Sequence, residues 1–98
     1  MKISGIYMII NKLNGKKYIG QSINCYARWL KHKSSYKYED SPLYNDMRNF
    51  GLKNFEFKII ERIPIYLLNS REKEYIQKYN TLVPNGYNRD NGGKGYAY

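Results

Sequence analysis

Two tyrosines on neighbouring strand-like segments, Tyr7 and Tyr18, an arginine and a histidine four positions apart, Arg28 and His32, and a glutamate in an otherwise apolar stripe, Glu72, are the side chains of this chain best suited to chemistry. The planar fork of Arg28 suits phosphate oxygens and can neutralise charge developing on a phosphodiester. His32 can relay a proton or hold a phenol in position. A tyrosine is an awkward base, because its free pKa lies near 10, and needs a cation or proton acceptor beside it to ionise at neutral pH. An unpaired buried carboxylate such as Glu72 demands a cation, a hydrogen-bond network or a proton. Plainer roles exist for each: Arg28 as one more solvated cation beside Lys31 and Lys33, His32 as a structural histidine, and Glu72 as the far end of a capping box begun by Asn69.

The elements that would bring these groups together can be read from periodicity. Asn14-Gly15 is a hairpin signal between the triplets Gly5-Ile6-Tyr7 and Tyr18-Ile19-Gly20. With a two-residue loop, Asn11 opposes Tyr18 and Ile9 opposes Gly20. A four-residue loop over residues 12–15 shifts the pairing by two. Either way the two phenols share a face, roughly 13 Å apart in the first register and roughly 7 Å in the second. Gly5 and Gly20 lie on that face and are expected to leave room for something to approach the backbone. The opposite face, with Ile6, Met8, Ile10 and Ile19, is expected to be core.

Asn24 can cap a helix over Cys25–Ser35, in which Tyr26, Trp29, Leu30 and Lys33 follow helical spacing and Arg28 and His32 share a face. Ser41-Pro42 starts a second helix, with Leu43, Met47 and Phe50 as its apolar stripe and Gly51 as its stop. Alternation from Phe55 through Phe57 and Ile59, with Glu56, Lys58 and Arg62 between, predicts a half-buried strand interrupted at Pro64. Helical periodicity resumes over residues 67–79, where Leu68, Tyr75, Ile76 and Tyr79 form the inward stripe that Glu72 enters. Residues 85–95 are glycine-rich and predicted irregular. Tyr26, Tyr75 and Tyr79 are expected to be core.

The two triplets, together with three later segments of the chain, resemble the GIY-YIG endonuclease family. Those segments are residues 24–32, NCYARWLKH, then Arg71-Glu72-Lys73-Glu74-Tyr75-Ile76, then Asn85-Gly86-Tyr87-Asn88, in the family's order and over nearly the whole chain. The resemblance implies a metal-dependent DNA endonuclease leaving 5′-phosphate and 3′-hydroxyl ends. In that scheme Tyr7 takes a proton from the attacking water, Tyr18 positions water or phosphate, Glu72 binds the metal, which stabilises the leaving 3′ oxygen, and Asn88 fixes nearby groups by hydrogen bonds. Asn49-Phe50-Gly51, Asn54-Phe55-Glu56-Phe57 and Gly92-Gly93-Lys94-Gly95 are most like the phage and intron-type homing branch. Enzymes of that branch append a DNA-recognition region; with the chain ending at Tyr98, weak, salt-sensitive binding and limited sequence preference are expected.

Composition fits this picture. Seventeen Lys and Arg against eight Asp and Glu give +9, which favours a polyanionic partner. Lys16, Lys31, Lys33, Arg89 and Lys94 are candidate phosphate contacts. Acidic residues are too scarce for the converging carboxylates of a two-metal site, so a single Mg²⁺, with Mn²⁺ able to substitute, is expected. One cysteine, Cys25, and one histidine exclude an internal disulfide and disfavour a Cys/His zinc site. A reducing, intracellular compartment is expected, with no transmembrane-length apolar run. The chain therefore reads as one α/β (α+β) domain over residues 1–98, a small, mainly antiparallel three-stranded sheet flanked by three helices. A catalytically idle nucleic-acid-binding module and a repair or RNA-processing nuclease remain the alternatives.

Overall fold

The hairpin takes the longer of its two possible loops. In the computed structural model, which describes residues 2–93, Gly15 N–H donates to Asn11 O at 2.8 Å and Asn11 N–H to Lys16 O at 2.9 Å. The side chains of Asn11 and Asn14 accept from Leu13 N–H and Lys16 N–H, both at 2.9 Å. Gly15 stands at φ 77°, the left-handed region that such a turn requires. Strands β1 (Gly5–Asn11) and β2 (Lys17–Ser22) therefore pair antiparallel with Tyr7 opposite Gly20 and Ile9 opposite Tyr18. This is the register with the closer phenols.

Strand β3 (Phe55–Arg62) pairs antiparallel with the other side of β1, giving the order β2-β1-β3. The register slips between Ile6 and Tyr7, where Glu61 and Ile59 are the successive partners and Ile60 is the extra residue of a bulge. A Cβ on Gly5 would lie 2.1 Å from Glu61 O, so the expected space at Gly5 is occupied by β3 itself. Gly20 is filled as well, as described below. The open edge of β2 is closed by the chain's end, where Tyr87 N–H donates to Lys17 O at 2.9 Å.

Helix α1 (Cys25–Ser35) starts on the Asn24 side chain, which accepts from Ala27 N–H. Helix α2 (Pro42–Phe50) starts on Ser41, whose Oγ accepts from Tyr44 N–H, and stops at Gly51 with φ 89°. Helix α3 (Leu68–Tyr79) follows a single 3₁₀ turn, Ile65–Leu67, and its N-cap, Leu67, makes no side-chain bond. The Asn69–Glu72 capping box is therefore not formed, and Glu72 is left for another role.

Both faces of the sheet are core, which corrects the expectation of one open face. Ile6, Met8 and Ile19 pack with Leu68 and Ile76 of α3. On the other side Tyr7 and Ile9 pack with Cys25, Leu43, Tyr44, Met47, Phe55 and Tyr87. A phenol ring is apolar below its hydroxyl and can roof a core while its oxygen serves a site. Three further expectations fail. Phe50 is largely exposed while Tyr44, on the first turn of α2, is buried; Tyr26 and Tyr79 are exposed, and Tyr75 is half-buried. Tyr26 lies over Phe57 at the outer side of β3 rather than under the helix. No helix among the described residues is long and apolar enough to cross a membrane.

Candidate active site

The β1–β2 register puts Tyr7 and Tyr18 on one face with ring centroids 6.3 Å apart. The Tyr7 ring lies across Gly20: a Cβ there would meet Tyr7 Cζ at 2.2 Å and its hydroxyl oxygen at 2.3 Å. The glycine thus makes room for the protein's own phenol. From α1, His32 is buried, with Nε2 at 2.7 Å from the Tyr7 hydroxyl and Nδ1 at 2.7 Å from the Tyr44 hydroxyl. Its ring stands edge-on to both Tyr7 and Tyr18, 5.7 Å from each. Arg28, one turn earlier, acts on the same group of phenols, and its buried Nε has no hydrogen-bond partner among the described residues.

Burial dominates the electrostatics of this cluster. It holds the Tyr7 hydroxyl well above its ordinary value of 10, with Tyr18 adding to the shift and the Arg28 charge opposing it. Tyr18 is raised for the same first reason, again opposed by Arg28. Burial, and then the Arg28 charge, lower His32 to about 3. The imidazole is therefore neutral at working pH, with one nitrogen donating and the other accepting. That suits holding a phenol in place, the second of the two roles open to it.

Glu72 projects from α3 between the buried Leu68 and Ile76. Its Oε1 accepts from Gln21 Nε2 at 3.1 Å and from Gly93 N–H at 2.7 Å. The backbone reaches it because Gly92 and Gly93 sit at φ 75° and 73°, and a Cβ on Gly92 would meet Oε1 at 2.8 Å. Gln21 is fixed in turn by donating to Asn69 Oδ1 at 2.7 Å, while its buried Oε1 has no hydrogen-bond partner among the described residues. One carboxylate oxygen of Glu72 is thus immobilised, and no hydrogen bond from a described residue reaches the other. This donor set fits a hard cation that takes one protein carboxylate and retains waters. No group of three or more His, Cys, Asp or Glu that could hold a metal occurs among the described residues, so a ligand-rich cage is not formed there.

Asn88 acts on the backbone of β2. Its Oδ1 accepts from Ile19 N–H at 2.9 Å and Thr81 Oγ1 at 2.8 Å, and its Nδ2 donates to Ile19 O at 2.9 Å. It thereby fixes the peptide between Tyr18 and Gly20. Tyr7, Tyr18, Arg28, His32, Glu72 and Asn88 all line one cleft of about 460 Å³. Of the candidate phosphate contacts, Arg89 lines it too. Lys16, Lys31 and Lys33 do not, and Lys33 instead places its ammonium over the Trp29 ring at 5.4 Å. Lys94 lies outside the described residues. Sequence patterns missed Tyr44, Gln21 and the Gly93 amide. Only Tyr44 left a trace, three residues after the Ser41 cap and so on the first turn of a buried helix.

Hairpin phenols, a helical arginine and a carboxylate from a third helix, set on a three-stranded antiparallel sheet, define a GIY-YIG catalytic domain. The model of that family matches residues 3–88, and the chain belongs to it. Among curated relatives, it is 35% identical over 89 residues to Intron-associated endonuclease 1 of Enterobacteria phage T4, covering 87% of this chain and 36% of that protein. It is 32% identical over 102 residues to a probable intron-encoded endonuclease bI1 of Neurospora crassa, covering 98% and 22%. The chain thus spans about a third or less of these two proteins. A solved structure of a mutant catalytic domain of intron endonuclease I-TevI superimposes with a TM-score of 0.86 at 31% identity, covering 97% of this chain and 99% of that one. The catalytic domain of homing endonuclease I-TevI gives 0.81 at 34%, covering 89% and 98%.

Proposed function

We propose that this domain is a metal-dependent DNA endonuclease that hydrolyses phosphodiester bonds to 5′-phosphate and 3′-hydroxyl ends, as the catalytic module of a homing-type enzyme. The observation that carries this is the convergence of Tyr7, Tyr18, Arg28 and Glu72, from four separate elements, on one cleft. The intron-endonuclease names of the relatives and the charge of +9 support DNA as the substrate.

A scissile phosphate in the cleft meets Arg28, whose unpaired Nε–H is available to a phosphate oxygen. Tyr7 accepts the proton of the attacking water. Burial opposes its ionisation, so the Arg28 charge, which lowers the phenol's pKa, is part of how it works. Tyr18, beside it, orients water or phosphate through its hydroxyl. Glu72 would hold a single Mg²⁺, with Mn²⁺ able to substitute, through the oxygen that Gln21 and Gly93 leave uncommitted. When bound, the ion supplies positive charge for the leaving 3′ oxygen. Asn88 keeps the Tyr18–Gly20 backbone in register from outside the reaction.

Nicking of supercoiled plasmid in Mg²⁺, with an EDTA control, tests this. Cleavage is expected in Mg²⁺ alone and is expected to vanish in Tyr7→Phe and Glu72→Ala. Retained activity in both variants refutes the mechanism. Binding of plasmid with no cleavage under any divalent cation makes the domain a DNA-binding module instead.

A further inference from the structure

The Tyr7–His32 pair continues to a third ring that the proposed mechanism leaves idle. Tyr44, from α2, is buried, lines the cleft and is bonded to His32 Nδ1 at 2.7 Å. A neutral imidazole flanked by two hydroxyls has two possible polarities, and the donors nearby choose between them. Arg28 acts on the Tyr7 oxygen both as a charge and as a hydrogen-bond donor, and a guanidinium can only donate. The hydrogen of the Tyr7 phenol is then directed to His32 Nε2. The imidazole hydrogen must sit on Nδ1, and the Tyr44 oxygen receives it.

We propose that Tyr44 is a positioning residue for Tyr7: by accepting from His32 Nδ1–H it keeps Nε2 an acceptor, turns the Tyr7 hydrogen inward and leaves the phenol's lone pairs facing the cleft. This rests on Tyr7 being the group that accepts the proton of water. No charge on His32 is required. Its burial and the neighbouring Arg28 charge keep it neutral, and the remaining groups acting on the three rings are Tyr18 of β2, Glu72 of α3 and Glu39 between α1 and α2. The hydrogen of Tyr44 itself is not engaged by His32 and stays available on the cleft side, where Glu39 also lies.

The chain has a single histidine, so its imidazole nitrogens can be observed without ambiguity. In protein labelled with ¹⁵N-histidine, two-dimensional NMR at neutral pH is expected to show a protonated Nδ1 and an unprotonated Nε2. Tyr44→Phe removes the acceptor and is expected to give mixed tautomers. It should also lower kcat for plasmid nicking by roughly 10- to 100-fold with KM unchanged, toward the low end of what a positioned acid–base group contributes. An Nε2–H tautomer in the unaltered protein overturns the proposal without any variant. So does Tyr44→Phe in which tautomer and kcat do not change together. If Tyr7→Phe still cleaves, the proposed mechanism fails instead, whatever the tautomer.

Discussion

Gly20→Ala is the most informative single change, because it adds one methyl group at the point where β2 yields to the Tyr7 ring. The new Cβ would stand 2.2 Å from Tyr7 Cζ where ordinary contact begins at 3.4 Å, a deficit of about 1.2 Å. The strand backbone cannot supply it, since Asn88 pins the Ile19 peptide on both its N–H and its C=O. The ring must move, and Phe57 and His32 stand against it at centroid distances of 5.4 and 5.7 Å. Overpacking of this kind costs about 1–3 kcal/mol. Displacing the hydroxyl by about 1 Å also stretches the 2.7 Å bond to His32 and misplaces the base, a shift that costs on the order of 100-fold in rate. Urea unfolding and plasmid nicking on the same sample measure the two effects. Alanine at residue 20 with unchanged cleavage would show that the Tyr7 hydroxyl need not stand where the structure puts it.

Other perturbations address the remaining groups. Asn88→Ala leaves the Ile19 N–H and C=O buried without their partner and should cost about 2–4 kcal/mol in urea unfolding; a loss below about 0.5 kcal/mol contradicts the clamp. For His32, a folded pKa lowered to about 3 from 6.5 means that the unfolded chain binds the extra proton, so stability is full above pH 6.5 and falls as pH drops. The slope should approach about 1.4 kcal/mol per pH unit between pH 6 and 5, and a flat profile there contradicts a neutral, buried imidazole. Because burial raises Tyr7, cleavage in Mg²⁺ should climb with pH from 7 to 9 without a plateau; a rate independent of pH over that range removes Tyr7 as the base. Gln21→Leu frees Oε1 of Glu72 from one of its two bonds and is expected to weaken Mg²⁺ binding by roughly 10-fold, within the effect of losing an outer hydrogen bond to a ligand, as read by titration calorimetry.

Much of this architecture was legible because local signals agreed with tertiary packing. Asn24, Ser41 and Gly51 mark helix ends by their chemistry, and alternation marks the strands. The convergence of Tyr7, Tyr18, Arg28 and Glu72 was legible through ordered motifs, since periodicity alone places each group on a face and leaves the faces unassembled. What stayed hidden depended on cross-chain volume. The space at Gly5 and Gly20 has the same signature whether a ligand or a neighbouring strand fills it, and here a β3 carbonyl and the Tyr7 ring do so. Tyr26 and Phe50 keep perfect helical spacing yet face outward, because the short helices bury fewer turns than their apolar residues would allow. The Gly93 amide on Glu72 has no side-chain signal at all.

The two borders of the sheet are treated differently, and this bears on how the molecule can meet others. A side-chain amide and one backbone donor from the chain's end stand in for a fourth strand along β2, beside the phenols. β3 has no such cover within the sheet, and it contributes no residue to the cleft. Any lateral recruitment into a longer sheet is thereby steered to the flank remote from catalysis, and there Glu56, Lys58 and Arg62 make an indiscriminate partner costly.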